Sequence, residues 1–302
     1  MPTAATTTEL IDRYAGMLLD VYGVLLDGSG ALPGAHELIA ELGARGTPYA
    51  IVTNDASRSI ATYVQRFARF GLPIAGERIV TSGSLLAAYF AANSLAGARV
   101  CVLGTDDSAG FVREAGGTVV ELRRGLELDV LAVCDDAGFE FLPGLESAFS
   151  AVVRAIEAGR RPALVLPNPD LVYPKSAGEL GFTSGSMALV IEAALARRFP
   201  HERYVFDRLG KPEPHLFAQA AQRLGLSVDR LVMIGDQLET DIAGAHAAGC
   251  DAALLAGISR WRGSHSHPDS RGEHSRTDSR AEQTTTGVPA VAPTWLLDKL
   301  WP

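Results

Sequence analysis

The sequence has few cysteines and no long apolar run. Cys101, Cys134 and Cys250 lie far apart and lack the spacing of metal ligands, which favours reduced thiols over a disulfide framework or a zinc site. No apolar run is long enough to cross a bilayer, and the polar residues 1–9 lack the pattern of a signal peptide. We therefore expect a cytoplasmic protein with no membrane partner.

A basic surface is also missing. The chain has 27 Lys and Arg against 35 Asp and Glu, a net charge of −8, and its basic residues form no cluster, which argues against nucleic acid as a partner. Apolar side chains, in contrast, are plentiful. At 47% of 302 residues, they suffice for two domains, or for one large domain with an insertion.

Short apolar runs alternate with amphipathic segments along most of the chain, which predicts an α/β fold with a doubly wound parallel sheet. We assign residues 1–78 and 203–302 to the main domain, with a strand at 203–206 leading back into it. Residues 79–202 form a second α/β series that reads as an inserted domain. Residues 262–287 are polar, with almost nothing to bury, and predict a mobile loop.

Two further helices are expected from local signals. The segment from Asp55 to Phe70 predicts a helix whose first turn, together with Arg58, favours an anion. Simple capping of that helix by neighbouring polar residues is the alternative, and both can hold at once. Near the end of the chain, Trp295 and Trp301 predict a short terminal helix packed on the core.

The first candidate for chemistry is Asp20. A buried strand beginning at Met17 stops at this acid, and the chain then turns through Gly23. Burying an unpaired charge is costly, and ligands bind at the carboxyl edge of an open α/β sheet. An acid that only caps a turn is the structural alternative.

Polar groups follow other predicted strands and should meet Asp20 at the same edge. Thr53 offers a hydroxyl to a phosphoryl oxygen, and Lys211 would keep Asp20 ionised and neutralise a phosphate. Asp20 and Asp236 suit Mg²⁺, with Asp241 supporting the site. Taken singly, Asp241 could instead cap a helix and Lys211 could be a surface lysine.

These segments resemble the four motifs of the haloacid dehalogenase superfamily, whose nucleophile is an aspartate. The resemblance spans about residues 15–257 and is carried by four segments: Asp20-Val21-Tyr22-Gly23-Val24, Val52-Thr53-Asn54, Gly210-Lys211-Pro212-Glu213-Pro214 and Gly235-Asp236 with Thr240-Asp241. The insertion, Leu32-Pro33-Gly34-Ala35 and Asn168-Pro169-Asp170 are similar to class IIA, the NagD-like and p-nitrophenylphosphatase-like group. This resemblance implies a Rossmann-like core with an inserted α/β cap that reads the substrate.

The resemblance also implies roles for individual residues. Asp20 would attack phosphorus and form an aspartyl-phosphate. Mg²⁺ would be held by Asp20, the backbone carbonyl of Tyr22 and Asp236, with Asp241 in support. The substrate and its phosphate would be bound by the following residues: Thr53, Asn54, Arg58, Asp170 and Lys211. Cap-to-cap dimers are common in that family, so a homodimer is compatible with it.

Position 22 departs from the family pattern. Phosphatases of the family carry a second Asp there, which protonates the leaving alcohol, whereas this chain has Tyr22. A free phenol, with a pKa of about 10, is a poor base at neutral pH. We predict a Mg²⁺-dependent hydrolase of a small phosphate ester, of the sugar or nucleotide phosphate class, with altered acid–base chemistry. The alternatives are a metal-independent dehalogenase-type hydrolase, which also carries Tyr there, and a weakly catalytic protein that binds phosphorylated ligands.

Overall fold

Strands and helices alternate through almost the whole chain in the computed structural model, which describes residues 2–176, 179–256 and 291–301. The strands are β1 (Thr3–Ala4), β2 (Gly16–Leu19), β3 (Tyr49–Thr53), β4 (Ile79–Thr81), β5 (Arg99–Leu103), β6 (Thr118–Val120), β7 (Val130–Val133), β8 (Ala163–Leu166), β9 (Val172–Ser176), β10 (Glu179–Phe182), β11 (Asp207–Arg208), β12 (Leu231–Gly235), β13 (Asp251–Leu255) and β14 (Trp295–Leu297). The helices are α1 (Thr7–Arg13), α2 (Ala35–Arg45), α3 (Ile60–Arg69), α4 (Leu86–Ala92), α5 (Asp106–Glu114), α6 (Phe141–Glu157), α7 (Ser184–Arg198), α8 (His215–Leu224) and α9 (Ala243–Ala248).

The larger sheet has seven parallel strands in the order β1-β14-β13-β12-β2-β3-β4. Its central strands are almost wholly apolar and fully buried, as expected of a parallel sheet covered on both faces. The register pairs Leu19 of β2 with Ile51 on one side and Ile234 on the other. The residues that follow these three strands therefore meet at one edge of the sheet.

Helices cover both faces of this sheet. Alternate residues of β2 point to opposite sides, so Met17 and Leu19 join one apolar cluster and Leu18 joins another. The first cluster includes side chains of α1, α2 and α3, and the second includes those of α8 and α9. Each fully buried leucine contributes about 2 kcal/mol to folding. The predicted doubly wound α/β architecture is confirmed.

The smaller sheet has five parallel strands in the order β11-β8-β7-β5-β6. Side chains of α6 and α7 pack on one of its faces in a third cluster. On its other face, side chains of α4 and α5 belong to the same apolar cluster as those of α8, which covers the larger sheet. An antiparallel hairpin, β9–β10, extends from it. The division of the chain into a main domain (1–78 and 203–302) and an inserted domain (79–202) stays a prediction.

Pairing of the strands shifts both predicted domain boundaries. The strand Ile79–Thr81 pairs with β3 and so belongs to the larger sheet, although residues from 79 onward were assigned to the insertion. The strand expected at 203–206 is absent from those residues. A two-residue strand at Asp207–Arg208 pairs instead with β8 of the smaller sheet. A division of the chain near 82 and 209 fits this pairing, and we propose it in place of 78 and 202.

The C-terminal residues form a strand where a helix was expected. Trp295 begins β14, which lies between β1 and β13, because its backbone pairs with both strands in the parallel sheet. Trp295 and Trp301 do pack against the core as predicted. The polar segment 262–287 lies outside the described residues.

The three cysteines are free and buried. Among the described residues, no helix combines the length and the apolar character that a membrane crossing needs.

Candidate active site

Asp20 lies at the carboxyl end of the central strand β2, and its side chain is buried. Its backbone amide donates to Ile234 O at 3.1 Å, so the parallel ladder still fixes its position. The chain then reverses in a tight turn closed by Gly23 N donating to Leu26 O at 2.9 Å. Gly23 has φ +86°, and a Cβ there would lie 2.3 Å from Asp236 Oδ2. Glycine at this position therefore lets Asp236 approach the turn.

Lys211 links the carboxylates at this edge. Its Nζ donates to Asp20 Oδ1 at 2.6 Å, to Asp241 Oδ1 at 2.6 Å and to Val52 O at 3.3 Å. Only 3% of the residue is exposed. Burial alone lowers the pKa of Lys211, but Asp20 and Asp241 outweigh burial and hold that pKa above its ordinary value. The ammonium is therefore charged, and the surface-lysine reading of the sequence is wrong.

Asp241 has both carboxylate oxygens engaged. Oδ1 accepts from Lys211, and Oδ2 accepts from the backbone amides of Asp236 at 3.1 Å and Gln237 at 3.2 Å. At Gly235, a Cβ would lie 2.2 Å from Asp241 Cβ, so this approach also requires glycine. Asp241 thus shapes the loop after β12 and orients Lys211. No side chain caps the helical turn Leu238–Ile242 or α9, so the alternative that Asp241 caps a helix is wrong.

Three carboxylates converge beside Lys211, the one buried cation among the residues that the structure describes. Oxygen atoms of Asp20, Asp236 and Asp241 lie within 4.8 Å of one another. Burial, opposed by Lys211 and assisted by Asp241, raises the pKa of Asp20 to about 7. Burial with the neighbouring Asp241 and Asp20 raises the pKa of Asp236 to about 8. An oxygen-only donor set with excess negative charge fits a hard divalent cation.

Thr53 ends β3 and Asn54 follows it at the same edge, and both are buried. Thr53 Oγ1 accepts from the Asp55 amide at 3.3 Å, so its hydroxyl hydrogen stays available to a ligand oxygen. Asn54 binds the backbone of Lys211 at both its N–H and its C=O. Its side chain also donates to Asp170 Oδ1 at 2.9 Å, a contact between the two sheets' domains.

The predicted helix at 55–70 begins only at Ile60. Asp55 first folds residues 55–57 into a turn, in which Oδ1 accepts from Ser57 N and Ser57 Oγ at 2.6 and 2.7 Å. Oδ2 accepts from Arg58 Nη1 and from the buried Tyr63 hydroxyl, both at 2.6 Å. The spacing Asp-x-Ser is a known turn signal and indicates this interruption. Arg58 is thus paired with Asp55, and its role toward a substrate anion stays a prediction.

Tyr22 stands beside the nucleophile position, partly buried. Its ring packs on the core and lies under the Arg66 guanidinium, 5.7 Å from the ring centroid. Burial raises the pKa of Tyr22, despite the nearby Arg58 that lowers it. The phenol therefore keeps its proton at neutral pH and does not replace a carboxylate as a base. The predicted role of its backbone carbonyl in metal binding stays a prediction.

The inserted domain is anchored on the loop after β3, which the sequence did not indicate. Thr105 Oγ1 donates to Ser57 O at 2.6 Å, and Ser108 Oγ donates to Ala56 O at 2.8 Å. Asp107 Oδ2 accepts from the Ser59 amide at 2.9 Å and from the Thr62 hydroxyl. These hydrogen bonds fix the start of α5 against the loop that carries Asp55.

Comparisons with known proteins agree with this arrangement. A family profile described as haloacid dehalogenase-like hydrolase matches residues 17–118, and a second, HAD-hydrolase-like profile matches residues 208–300. Human chronophin is 30% identical over 273 residues, which cover 85% of this chain and 86% of chronophin. The chain belongs to the haloacid dehalogenase-like hydrolases.

Solved structures of this hydrolase family share the fold. A possible sugar phosphatase from Cytophaga hutchinsonii has a TM-score of 0.77 and 26% identity, covering 99% of both chains. A glycerol phosphate phosphatase from Mycobacterium tuberculosis in complex with magnesium has a TM-score of 0.66 and 27% identity, covering 82% of this chain and 69% of its own. The resemblance to class IIA, and the expectation of a phosphatase-type hydrolase, are confirmed.

Proposed function

We propose that this hydrolase cleaves a small phosphate ester with Mg²⁺, through an aspartyl-phosphate on Asp20. The observation that carries the proposal is the buried Asp20 carboxylate, which Lys211 binds at 2.6 Å and which shares one edge with Asp236 and Asp241. The sugar and glycerol phosphatases among its structural relatives support a small sugar or polyol phosphate as substrate. A nucleotide phosphate belongs to the same range of expected substrates.

In the first step, a carboxylate oxygen of Asp20 attacks phosphorus, the bond from phosphorus to the ester oxygen breaks, and the leaving oxygen takes its proton from water. Lys211 neutralises charge on the phosphoryl oxygens, and the Thr53 hydroxyl donates to one of them. In the second step, water attacks phosphorus of the aspartyl-phosphate. The bond from phosphorus to the Asp20 oxygen breaks, the attacking water gives a proton to solvent, inorganic phosphate leaves and the carboxylate is restored.

Asp20, Asp236 and the Tyr22 carbonyl would hold Mg²⁺, with Asp241 in support. When bound, the ion supplies positive charge to the phosphoryl group during transfer. Its charge would also favour the ionised forms of Asp20 and Asp236, whose pKa values burial raises to about 7 and about 8. The nucleophile is thereby available at neutral pH.

Tyr22 determines which phosphate esters the protein hydrolyses fast. Since the phenol replaces the carboxylic acid of related phosphatases, the leaving oxygen receives no ready proton from residue 22. Esters whose leaving groups are stable as anions, such as p-nitrophenyl phosphate, should therefore turn over faster than alkyl phosphates. The same observation favours a second candidate function, a protein that binds phosphorylated ligands with little turnover. The dehalogenase alternative has less support, because the acidic cluster suits a metal that carbon–halogen hydrolysis does not need.

The test is a phosphatase screen with p-nitrophenyl phosphate and a panel of phosphate esters, in Mg²⁺ and in EDTA. We expect metal-dependent phosphate release that Asp20→Asn abolishes and the exposed control Asp298→Asn retains. Phosphate release that continues in EDTA would contradict the metal requirement. Binding of esters without any release would favour the second candidate function.

A further inference from the structure

Asp170 comes from the inserted domain, yet its carboxylate meets the main domain. It lies in the turn after β8, where its amide donates to Asn168 Oδ1 at 3.0 Å. The start of α7 braces this turn, because Gly185 N donates to Asp170 O at 3.0 Å and Ser184 Oγ donates to Asn168 O at 2.8 Å. A Cβ at Gly185 would lie 2.5 Å from Asp170 O. The inserted domain therefore fixes the position of Asp170 closely.

Across the domain boundary, the acceptor Asp170 Oδ1 receives a hydrogen bond from Asn54 Nδ2 at 2.9 Å. The Asn54 side chain has two more bonds, both to Lys211: its Oδ1 accepts from Lys211 N at 2.7 Å and its Nδ2 donates to Lys211 O at 3.0 Å. The carboxamide has one orientation that satisfies all three bonds. A carboxylate can only accept hydrogen bonds, so Asp170 holds that orientation together with the Lys211 backbone.

The backbone held in this way carries the Lys211 side chain, whose Nζ contacts both Asp20 and Asp241 at 2.6 Å. A continuous series of hydrogen bonds thus runs from Asp170 through Asn54 and Lys211 to the nucleophile. We propose that Asp170 is a positioning residue: by orienting Asn54, it aligns Lys211 with Asp20 when the inserted domain is seated. The proposal assigns Asp170 this role in place of the substrate contact expected from the sequence. Its kinetic test rests on the proposed phosphatase function.

The main experiment is a double-mutant cycle on p-nitrophenyl phosphate with Mg²⁺, using Asp170→Ala, Asn54→Ala and the double variant. We expect Asp170→Ala to lower kcat about 10- to 100-fold, since misplacement of a catalytic group by an ångström costs on this order, with KM nearly unchanged. In the Asn54→Ala background the same substitution should have little further effect. Asp170→Asn should recover much of kcat, because its carbonyl oxygen can still accept from Asn54. The exposed Asp106→Ala, in the same domain, is the control and should match the unmodified protein.

Two results would overturn the proposal. Equal losses of kcat in both backgrounds would mean that Asp170 acts independently of Asn54. A raised KM with unchanged kcat would restore the reading of Asp170 as a substrate contact. If Asp170→Ala does not fold, the cycle is run with Asp170→Val, which also lacks an acceptor for Asn54, and the same two results decide.

A measurement without substrate separates this proposal from the proposed function. In protein labelled with ¹⁵N-lysine, the side-chain ammonium signal of Lys211 should shift or broaden in Asp170→Ala and stay in place in Asp106→Ala. An unmoved signal in Asp170→Ala would overturn the positioning role even in an active phosphatase. A shifted signal in a protein that hydrolyses no ester would support the positioning role while the phosphatase proposal fails.

Discussion

Replacing Lys211 with methionine should destabilise the protein, because it removes the positive charge beside the buried carboxylates of the acidic cluster. The substitution keeps a long apolar stem and removes the ammonium that lies 2.6 Å from Asp20 and Asp241. Removing one partner of a buried ion pair costs about 3–5 kcal/mol, because the other partner stays buried without compensation. At about 2–4 °C per kcal/mol, the melting temperature at pH 8 in EDTA should fall by roughly 6 °C or more.

The cost should depend on pH in a defined direction. Asp20 and Asp236 have pKa values raised from 3.8 to about 7 and about 8, so folding favours their protonated forms. The stability they contribute is complete below pH 3.8 and is lost as the pH rises through 7 and 8. Without Lys211, the pKa of Asp20 should rise further, and the loss at high pH should deepen. The difference between Lys211→Met and the unmodified protein should therefore be larger at pH 8 than at pH 5.

The assay is thermal unfolding followed by circular dichroism at both pH values, with EDTA present and with the exposed Lys299→Met as the control. An equal loss at pH 5 and pH 8 would refute this reasoning, since it would point to lost packing rather than to uncompensated charge. Unchanged stability at pH 8 would refute it as well.

Three further predictions concern the same site. Tyr22→Asp should raise kcat on an alkyl phosphate by roughly 10²–10⁴-fold, the usual contribution of general acid catalysis, and an unchanged kcat would count against the role given to position 22. Gly23→Ala should lower the melting temperature, because φ is +86° and the new Cβ would lie 2.3 Å from Asp236 Oδ2; a melting curve that does not move would contradict this. Tyr63→Phe should cost about 1–3 kcal/mol of unfolding free energy in denaturant titration, since Asp55 loses a buried donor, and a neutral effect would show that the loop compensates.

The sequence was sufficient for the buried parallel strands and for the carboxyl edge where they end. Runs such as Met17–Leu19 and Leu231–Ile234 are apolar without alternation, which is typical of strands covered on both faces. Each run is followed by an acid, Asp20 or Asp236. Because both runs are parallel strands of one sheet, the proximity of the two acids could be predicted from the topology. The lysine at 211 was likewise expected beside Asp20 and is found there.

Contacts that depend on distant segments could not be predicted in this way. The strands Thr3–Ala4 and Asp207–Arg208 have two residues each, so their pairing is decided by neighbouring strands and leaves no pattern in the sequence. Trp295–Leu297 has three residues, and its pairing with β13 and β1 determines that it is extended. The hydrogen bond between Asn54 and Asp170 joins residues 116 positions apart. Neither segment contains a sequence pattern that predicts this contact.

The last strand of the smaller sheet ends at Arg208, three residues before Lys211 in the chain. If the exchange ended inside residues 207–213, a chimera that receives the inserted domain of a relative would therefore also place Lys211 in a new setting. If the junctions are placed after β4 and within α8, Lys211 comes from the donor protein together with the inserted domain. Asn54 and Asp20 then come from the host protein. To exchange substrate preference between members of this family, the residues at positions 54, 170 and 211 must therefore be matched to one another. Replacing the substrate-facing surface alone is not sufficient.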